Sequence, residues 1–191
     1  MAKKWILASS SPRRIELLRS VLPDFTVCSA TIEELHNVPQ GKQPEIVAQI
    51  NAKRKAKYIA EKDPNAYIIG ADTIVVLGNN IFNKPKNFEE AYWMLQQLSG
   101  NTHNVITAVC VICKSDHFYK EFSTFSPVTF AQLDSAFIRK YLEEIHPLDK
   151  AGAYAIQHPL TKTFATFPPE AYTNIMGFPV STFKQAMECI L

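Results

Sequence analysis

Trp5-Ile6-Leu7-Ala8-Ser9-Ser10-Ser11-Pro12-Arg13-Arg14 passes from a three-residue apolar run into three serines, a proline and two arginines. It reads as a strand feeding directly into a helix. Ser11 suits the N-cap and Pro12 the first helical position of a helix carrying Ile15, Leu17 and Leu18, since the N–H that proline lacks is one a helix start leaves unpaired anyway. The other N–H groups of that turn point out of the helix and suit a phosphate. Helix starts favour acids, yet this one holds Arg13 and Arg14, which oppose the helix dipole unless an anion lies between them. Serine-proline-arginine-arginine strings also occur in disordered minor-groove clasps and at phosphorylation sites. A single copy set between a strand and an amphipathic helix argues instead for a built anion site.

The chain around this stretch has 191 residues, 47% of them hydrophobic, enough to bury a sizeable core in one domain spanning 1–191. Twenty lysines and arginines against 18 acids leave a net charge of +2. That balance excludes a nucleic-acid coat, so anion binding has to come from local clusters and the ligand should be small. The apolar run after Lys3 and Lys4 is shorter than the roughly 7–15 residues of a signal peptide or the roughly 20 of a spanning helix. A cytoplasmic protein is expected, without nucleic-acid or membrane partners. Cys110 and Cys113 form a Cys-x-x-Cys within the β-branched run Val105 to Cys113. Strand residues three apart face opposite sides, so buried reduced thiols are expected rather than a zinc or redox pair.

Hydrophobic periodicity places a short strand at Phe25 to Cys28 and a long helix from Pro44 to about Glu61, with Lys53, Arg54, Lys55 and Lys57 mostly on a solvated face. Tyr67-Ile68-Ile69 reads as a buried strand ending in Gly70-Ala71-Asp72-Thr73, followed by a hairpin from Ile74 to Phe82 about Gly78-Asn79-Asn80. Asn87 with Glu90 resembles a capping box for a helix to Leu98, and Gly100 suits a left-handed stop. A central strand at Val105 to Cys113, a partner at Phe118 to Phe130 and a helix at Ser135 to Ile145 come next. Asp149 to Gln157 is read as a loop and strand, and the last helix as capped by Ser181. Strands alternating with helices predict an α/β fold, a mixed sheet with helices on both faces.

Polar residues at strand ends of such a sheet gather along one edge, which brings Ser9 to Arg14, Asp72, Thr73, Lys84 and Gln157 toward one cleft. Hydroxyls, helix N–H groups, arginines and lysine supply donors and charge for a polyphosphate. Asp72, with Glu34 as helper, suits a hydrated Mg²⁺ or Mn²⁺ and a water aimed at phosphorus. On the residues alone Asp72 reads equally well as a turn aspartate, and Lys55 and Glu34 read as surface charges.

Five ordered motifs resemble the Maf proteins, a family of nucleoside triphosphate pyrophosphatases. They are Leu7 to Arg14, Gly70-Ala71-Asp72-Thr73, Lys84-Pro85, the Leu-Ser-Gly-x-x-His-x-Val of Leu98 to Val105, and Asp149-Lys150-Ala151-Gly152-Ala153-Tyr154-Ala155-Ile156-Gln157. The resemblance implies an elongated mixed sheet flanked by helices, two lobes around a cleft, like the inosine triphosphate pyrophosphatase fold. It implies hydrolysis of a nucleoside triphosphate to monophosphate and pyrophosphate with a divalent cation, Mg²⁺, Mn²⁺ or Co²⁺. Asp72 would be the proton acceptor, and Asp72 and Glu34 the metal ligands. Ser9, Arg13, Arg14, Lys55, Thr73, Lys84 and Gln157 would bind substrate, with Arg13, Thr73 and Gln157 tied to its choice. Tyr154 and Gln157 look like the dTTP/UTP group; 7-methyl-GTP or another modified base, and a nucleotide-binding regulator of septum formation, are the alternatives. A homodimer is compatible with this resemblance. His158-Pro159, Ala155 and Pro168-Pro169-Glu170-Ala171 depart from the family pattern, and the departures bear on base specificity rather than on the acid.

Overall fold

The protein is seen in a computed structural model that describes residues 3–191. Seven strands, β1 (Trp5–Leu7), β2 (Thr26–Val27), β3 (Tyr67–Leu77), β4 (Asn80–Phe82), β5 (Thr102–Cys113), β6 (Phe118–Phe130) and β7 (Ala165–Thr166), form one mixed sheet. Their order is β2-β1-β3-β5-β6-β7, with β4 also on β3. β1 runs parallel to both its neighbours and the other pairings are antiparallel. The helices are α1 (Pro12–Arg19), α2 (Glu45–Ala60), α3 (Phe88–Leu98), α4 (Ser135–Ile145), α5 (Tyr172–Ile175) and α6 (Val180–Ala186).

Strand alternation divides the core cleanly. Even-numbered residues of the two central strands, among them Ile68, Ile74, Ile106 and Ala108, pack beneath α2 on Val47, Ala52, Ala56 and Ile59. Odd-numbered ones build two separate clusters on the other face. Tyr67, Ile69, Ala71, Val109 and Val111 pack with Leu18 of α1 and Phe183 of α6, whereas Val75 and Val105 pack with Leu95 of α3 and Tyr141 of α4. Thr73 and Thr107 lie between the clusters, paired across β3 and β5, and their hydroxyls bond each other at 3.0 Å. The two lobes are thus two apolar cores on one face, parted by a polar belt. Cys110 and Cys113 fall in cores on opposite faces.

One edge of β3 decides where a ligand can enter. β5 covers the other edge from Ile68 to Val76, so β1, pairing with Tyr67 to Ile69, and β4, pairing with Val75 to Leu77, must share this one. Residues 70–74 between them carry no neighbouring strand on that side. β1 delivers the chain to the start of α1 beside this gap, the usual place for a site in an open α/β sheet.

Three sequence expectations are corrected here. β3 does not end at Gly70 but runs unbroken to Leu77, so Asp72 is a mid-strand residue and not a turn aspartate. The glycine serves a close approach: a Cβ on Gly70 would lie 2.1 Å from the Ala52 carbonyl oxygen and 2.7 Å from the Ala56 nitrogen. The segment read as a strand before Gln157 is instead a run of short 3-10 turns, Pro147–Asp149 and Ala151–Ala153. Gly152 at φ 70° and Ala153 at φ 60° have left-handed backbones incompatible with a ladder. Finally, α6 begins after Pro179 rather than Ser181. Among the described residues, no helix is long and apolar enough to cross a membrane.

Candidate active site

Ser11 occupies the N-cap of α1 with Pro12 at the first helical position, but its hydroxyl caps nothing. The N–H groups of Arg13 and Arg14 therefore lack an intrahelical acceptor. Ser9, buried at the end of β1, accepts from the Ser11 N–H and from Arg14 Nη1, both at 3.3 Å. Arg14 is tied down further, by Nε to the Gly177 carbonyl at 2.9 Å and Nη2 to Thr73 Oγ1 at 3.0 Å. Burial pulls its guanidinium below the usual arginine value, against Asp72 and Glu34, which favour the charge. Arg14 is thus a fixed cation that joins α1 to the polar belt. Arg13 points elsewhere, with Nη1 3.2 Å from Asp149 Oδ2 and Nη2 3.4 Å from the Asp149 carbonyl.

Across the gap, the close seat of α2 on Gly70 puts Lys55 over the next even-numbered residue of β3. Lys55 Nζ lies 2.7 Å from Asp72 Oδ1 and 2.7 Å from Glu34 Oε1, so one ammonium separates two carboxylates. Lys55 is 8% exposed, which overturns the solvated-face reading of that lysine; Arg54 and Lys57 do face solvent. Asn51, one turn earlier on α2, donates from Nδ2 to Asp72 Oδ2 at 3.1 Å. The same amide donates to the Leu35 carbonyl at 2.9 Å and accepts the Leu35 N–H at 2.7 Å. Burial pushes the Glu34 carboxyl up, but the charge and hydrogen bond of Lys55, with Lys84 and Arg14 behind it, outweigh burial and hold it below the ordinary glutamate value.

These groups line one cavity of about 1240 Å³, together with Lys84 and Gln157. Lys84 and Gln157 are exposed, and Thr73 is partly buried. All nine residues singled out from sequence, Ser9, Arg13, Arg14, Glu34, Lys55, Asp72, Thr73, Lys84 and Gln157, border this one space. Asn51 was not among them, because an asparagine inside a helix gives no sign from sequence of what it meets. Trp93, half exposed on the same cavity and stacked on Phe82 at 5.7 Å, was also missed. Among the described residues, no three His, Cys, Asp or Glu side chains are grouped to hold a metal. Asp72 and Glu34 provide two carboxylates on the cavity, which fits Mg²⁺-type ions, since these take one or two carboxylates and fill the remaining positions with phosphate oxygens and water. The donor set suits a cation shared with a polyphosphate, not an all-protein cage.

By architecture and charge, this is an α/β protein with a cation-walled cleft at a break in its sheet. The chain belongs to the Maf family, whose sequence model, described as Maf-like protein, matches residues 4–190. It is 41% identical over 179 residues to a protein of Geobacillus sp. (strain WCH70) named dTTP/UTP pyrophosphatase, covering 94% of each chain. A protein of the same name from Lachnoclostridium phytofermentans is 41% identical over 187 residues, covering 96% of this chain and 93% of its own. A third, from Pseudoalteromonas atlantica, is 39% identical over 186 residues, covering 95% and 94%.

Proposed function

We propose that the protein, as one domain over 1–191, is a metal-dependent pyrophosphatase that converts dTTP and UTP to the monophosphate and pyrophosphate. The observation that carries this reading is the carboxylate of Asp72, held at Oδ1 by Lys55 and at Oδ2 by Asn51, in the cavity that the arginine-bearing helix start also lines. In the reaction a water oxygen bonds the α-phosphorus. The bond from that phosphorus to the bridging oxygen breaks, and pyrophosphate leaves with the electron pair. Asp72 accepts the proton of the water, using lone pairs its two donors leave free. Lys55 aims the carboxylate through its 2.7 Å contact with Oδ1.

Ser9, Arg13, Arg14, Lys84 and the open N–H groups of α1 meet the phosphate oxygens. Arg13 trades its contact with exposed Asp149 for the triphosphate, and Arg14 acts as a preset charge that needs no reorganisation. A divalent cation, Mg²⁺, Mn²⁺ or Co²⁺, held by Asp72 and Glu34 would offset phosphate charge and acidify water. Gln157 is free to read the base edge. The Thr73 hydroxyl is already shared among Arg14, Thr107 and Gly177, so it governs substrate choice by fixing Arg14. The names of the relatives support the pyrimidine assignment, and four unpaired cysteines suit a cytoplasmic setting.

Purified protein given dTTP, UTP, CTP and 7-methyl-GTP with each metal should release pyrophosphate fastest from dTTP and UTP. Asp72→Asn should lower kcat by more than about tenfold, above ~1.4 kcal/mol of barrier, while nucleotide binding persists. Orthophosphate with a diphosphate product, or binding without turnover in the unmodified protein, would overturn the proposal.

A further inference from the structure

Asn51 takes part in none of the phosphate or metal roles above, yet it is 2% exposed and its amide touches Asp72 and the backbone of Leu35, the residue after Glu34. Its orientation is fixed by the backbone of Leu35. The Leu35 N–H requires the amide oxygen and the Leu35 carbonyl requires the amide NH₂, so a flipped amide would set donor against donor and acceptor against acceptor. The NH₂ must therefore also present its second hydrogen toward Asp72 Oδ2, 3.1 Å away. Lys55 engages the other Asp72 oxygen, and Glu34 precedes Leu35 directly in the chain. One side chain thus fastens the segment that carries Glu34 to α2 and restrains the rotation of the Asp72 carboxylate.

We infer that Asn51 is a positioning residue, which sets the angle of the Asp72 carboxylate and its separation from Glu34 for the attack on the α-phosphorus. The inference rests on the pyrophosphatase reading for the meaning of that geometry. A buried amide with this many partners is also a good packing element, so the two roles need separate signatures. Two substitutions supply them. Asn51→Asp keeps an acceptor for the Leu35 N–H but loses the donor to the Leu35 carbonyl and sets a like charge against Asp72. Asn51→Leu keeps the number and branching of the side-chain heavy atoms and removes every side-chain hydrogen bond.

A purely structural asparagine predicts that the leucine variant is the poorer enzyme, since it loses the whole clamp. Positioning of Asp72 predicts the reverse order, with kcat on UTP down about 30-fold or more in Asn51→Asp while KM moves less than about threefold, the pattern of an interaction realised in the transition state. Both variants and the unmodified protein would be followed by thermal melts and by amide exchange at Leu35. Folded variants with kcat within about twofold of the unmodified protein, or a leucine variant below the aspartate one, overturn the inference. Loss of Leu35 protection in Asn51→Leu while the amides of the central strands keep theirs supports the clamp; an unprotected Leu35 amide in the unmodified protein refutes it. Absence of turnover in the unmodified protein is a failure of the functional reading instead, and the exchange at Leu35 then decides the clamp alone.

Discussion

His103 is 1% exposed, bonded through Nε2 to the Tyr154 hydroxyl at 3.0 Å, with Nδ1 buried and unpartnered. Phe130 meets it edge-on at 4.8 Å. Burial lowers its pKa from 6.5 to about 4, so the folded protein keeps this ring neutral at a pH where the unfolded chain binds a proton. Stability is therefore whole above pH 6.5, falls as pH drops toward 4, and levels off below that for this group. A depression of this size corresponds to about 3 kcal/mol across the window. Denaturant unfolding between pH 7 and 4.5 should show a flatter pH dependence in His103→Phe than in the unmodified protein, whatever the offset between them. Parallel curves would mean that the imidazole is protonated inside the core. Glu34 acts in the same direction at lower pH, because its depressed folded value leaves stability to be lost only as acid protonates it, below about 4.5.

At the scale of elements, the seat of α2 on β3 sets the chemistry. Ala52, Ala56 and Gly70 let the helix approach so closely that a methyl on Gly70 would meet main-chain atoms, which cannot rotate away. Gly70→Ala should push α2 off the strand, costing about 1–3 kcal/mol or more as overpacking does, and should lower kcat although residue 70 does not line the cavity. Normal kcat in a stable Gly70→Ala protein would show that Lys55 and Asn51 do not depend on this contact. Much of the element pattern was legible from sequence. The ends of β6 and α4 match the reading residue for residue, and Asn87 does accept from the Glu90 N–H at 2.8 Å. Gly70 misled because a glycine that ends a strand and one that admits a helix look alike in one dimension. The apolar spelling of Ala151 to Ile156 misled in turn: these residues are largely buried beneath α3 and beside the cavity, not in a ladder. Lys55 was hidden among three basic neighbours, Lys53, Arg54 and Lys57, until the register of α2 on β3 chose it.

At the scale of the molecule, Thr73, Thr107 and Asn174 form a linked polar set between the cores on the odd-numbered face. Asn174 spans that belt by donating to the Val105 and Thr124 carbonyls at 3.2 and 3.1 Å. A triphosphate touching Ser9 and Arg14 on one lobe and Lys84 on the other would tie the two lobes together. A non-hydrolysable dUTP analogue with Mg²⁺ at about 100 times its dissociation constant should add about 2.7 kcal/mol of stability, which for a chain of this size raises Tm by roughly 5–10 °C. An unchanged melting temperature at that concentration would argue against binding of the analogue to the folded protein. Arg13→Lys should shrink the shift, since a point charge replaces a planar fork.

The break along β3 has a span fixed by main-chain pairing, from the last partner of β1 at Ile69 to the first partner of β4 at Val75. At about 3.3 Å per residue, the uncovered residues 70–74 make an aperture of roughly 17 Å. Side-chain substitutions can repaint its rim and so change which ligand is held, but they leave its length alone. A change of length needs an insertion or deletion within β3, and an odd one would turn every following side chain to the opposite face, driving Val75 into the helix layer and Ile74 into the lobe beneath. The aperture is for that reason a frame the backbone enforces, in which affinity is adjustable by single substitutions and reach is not.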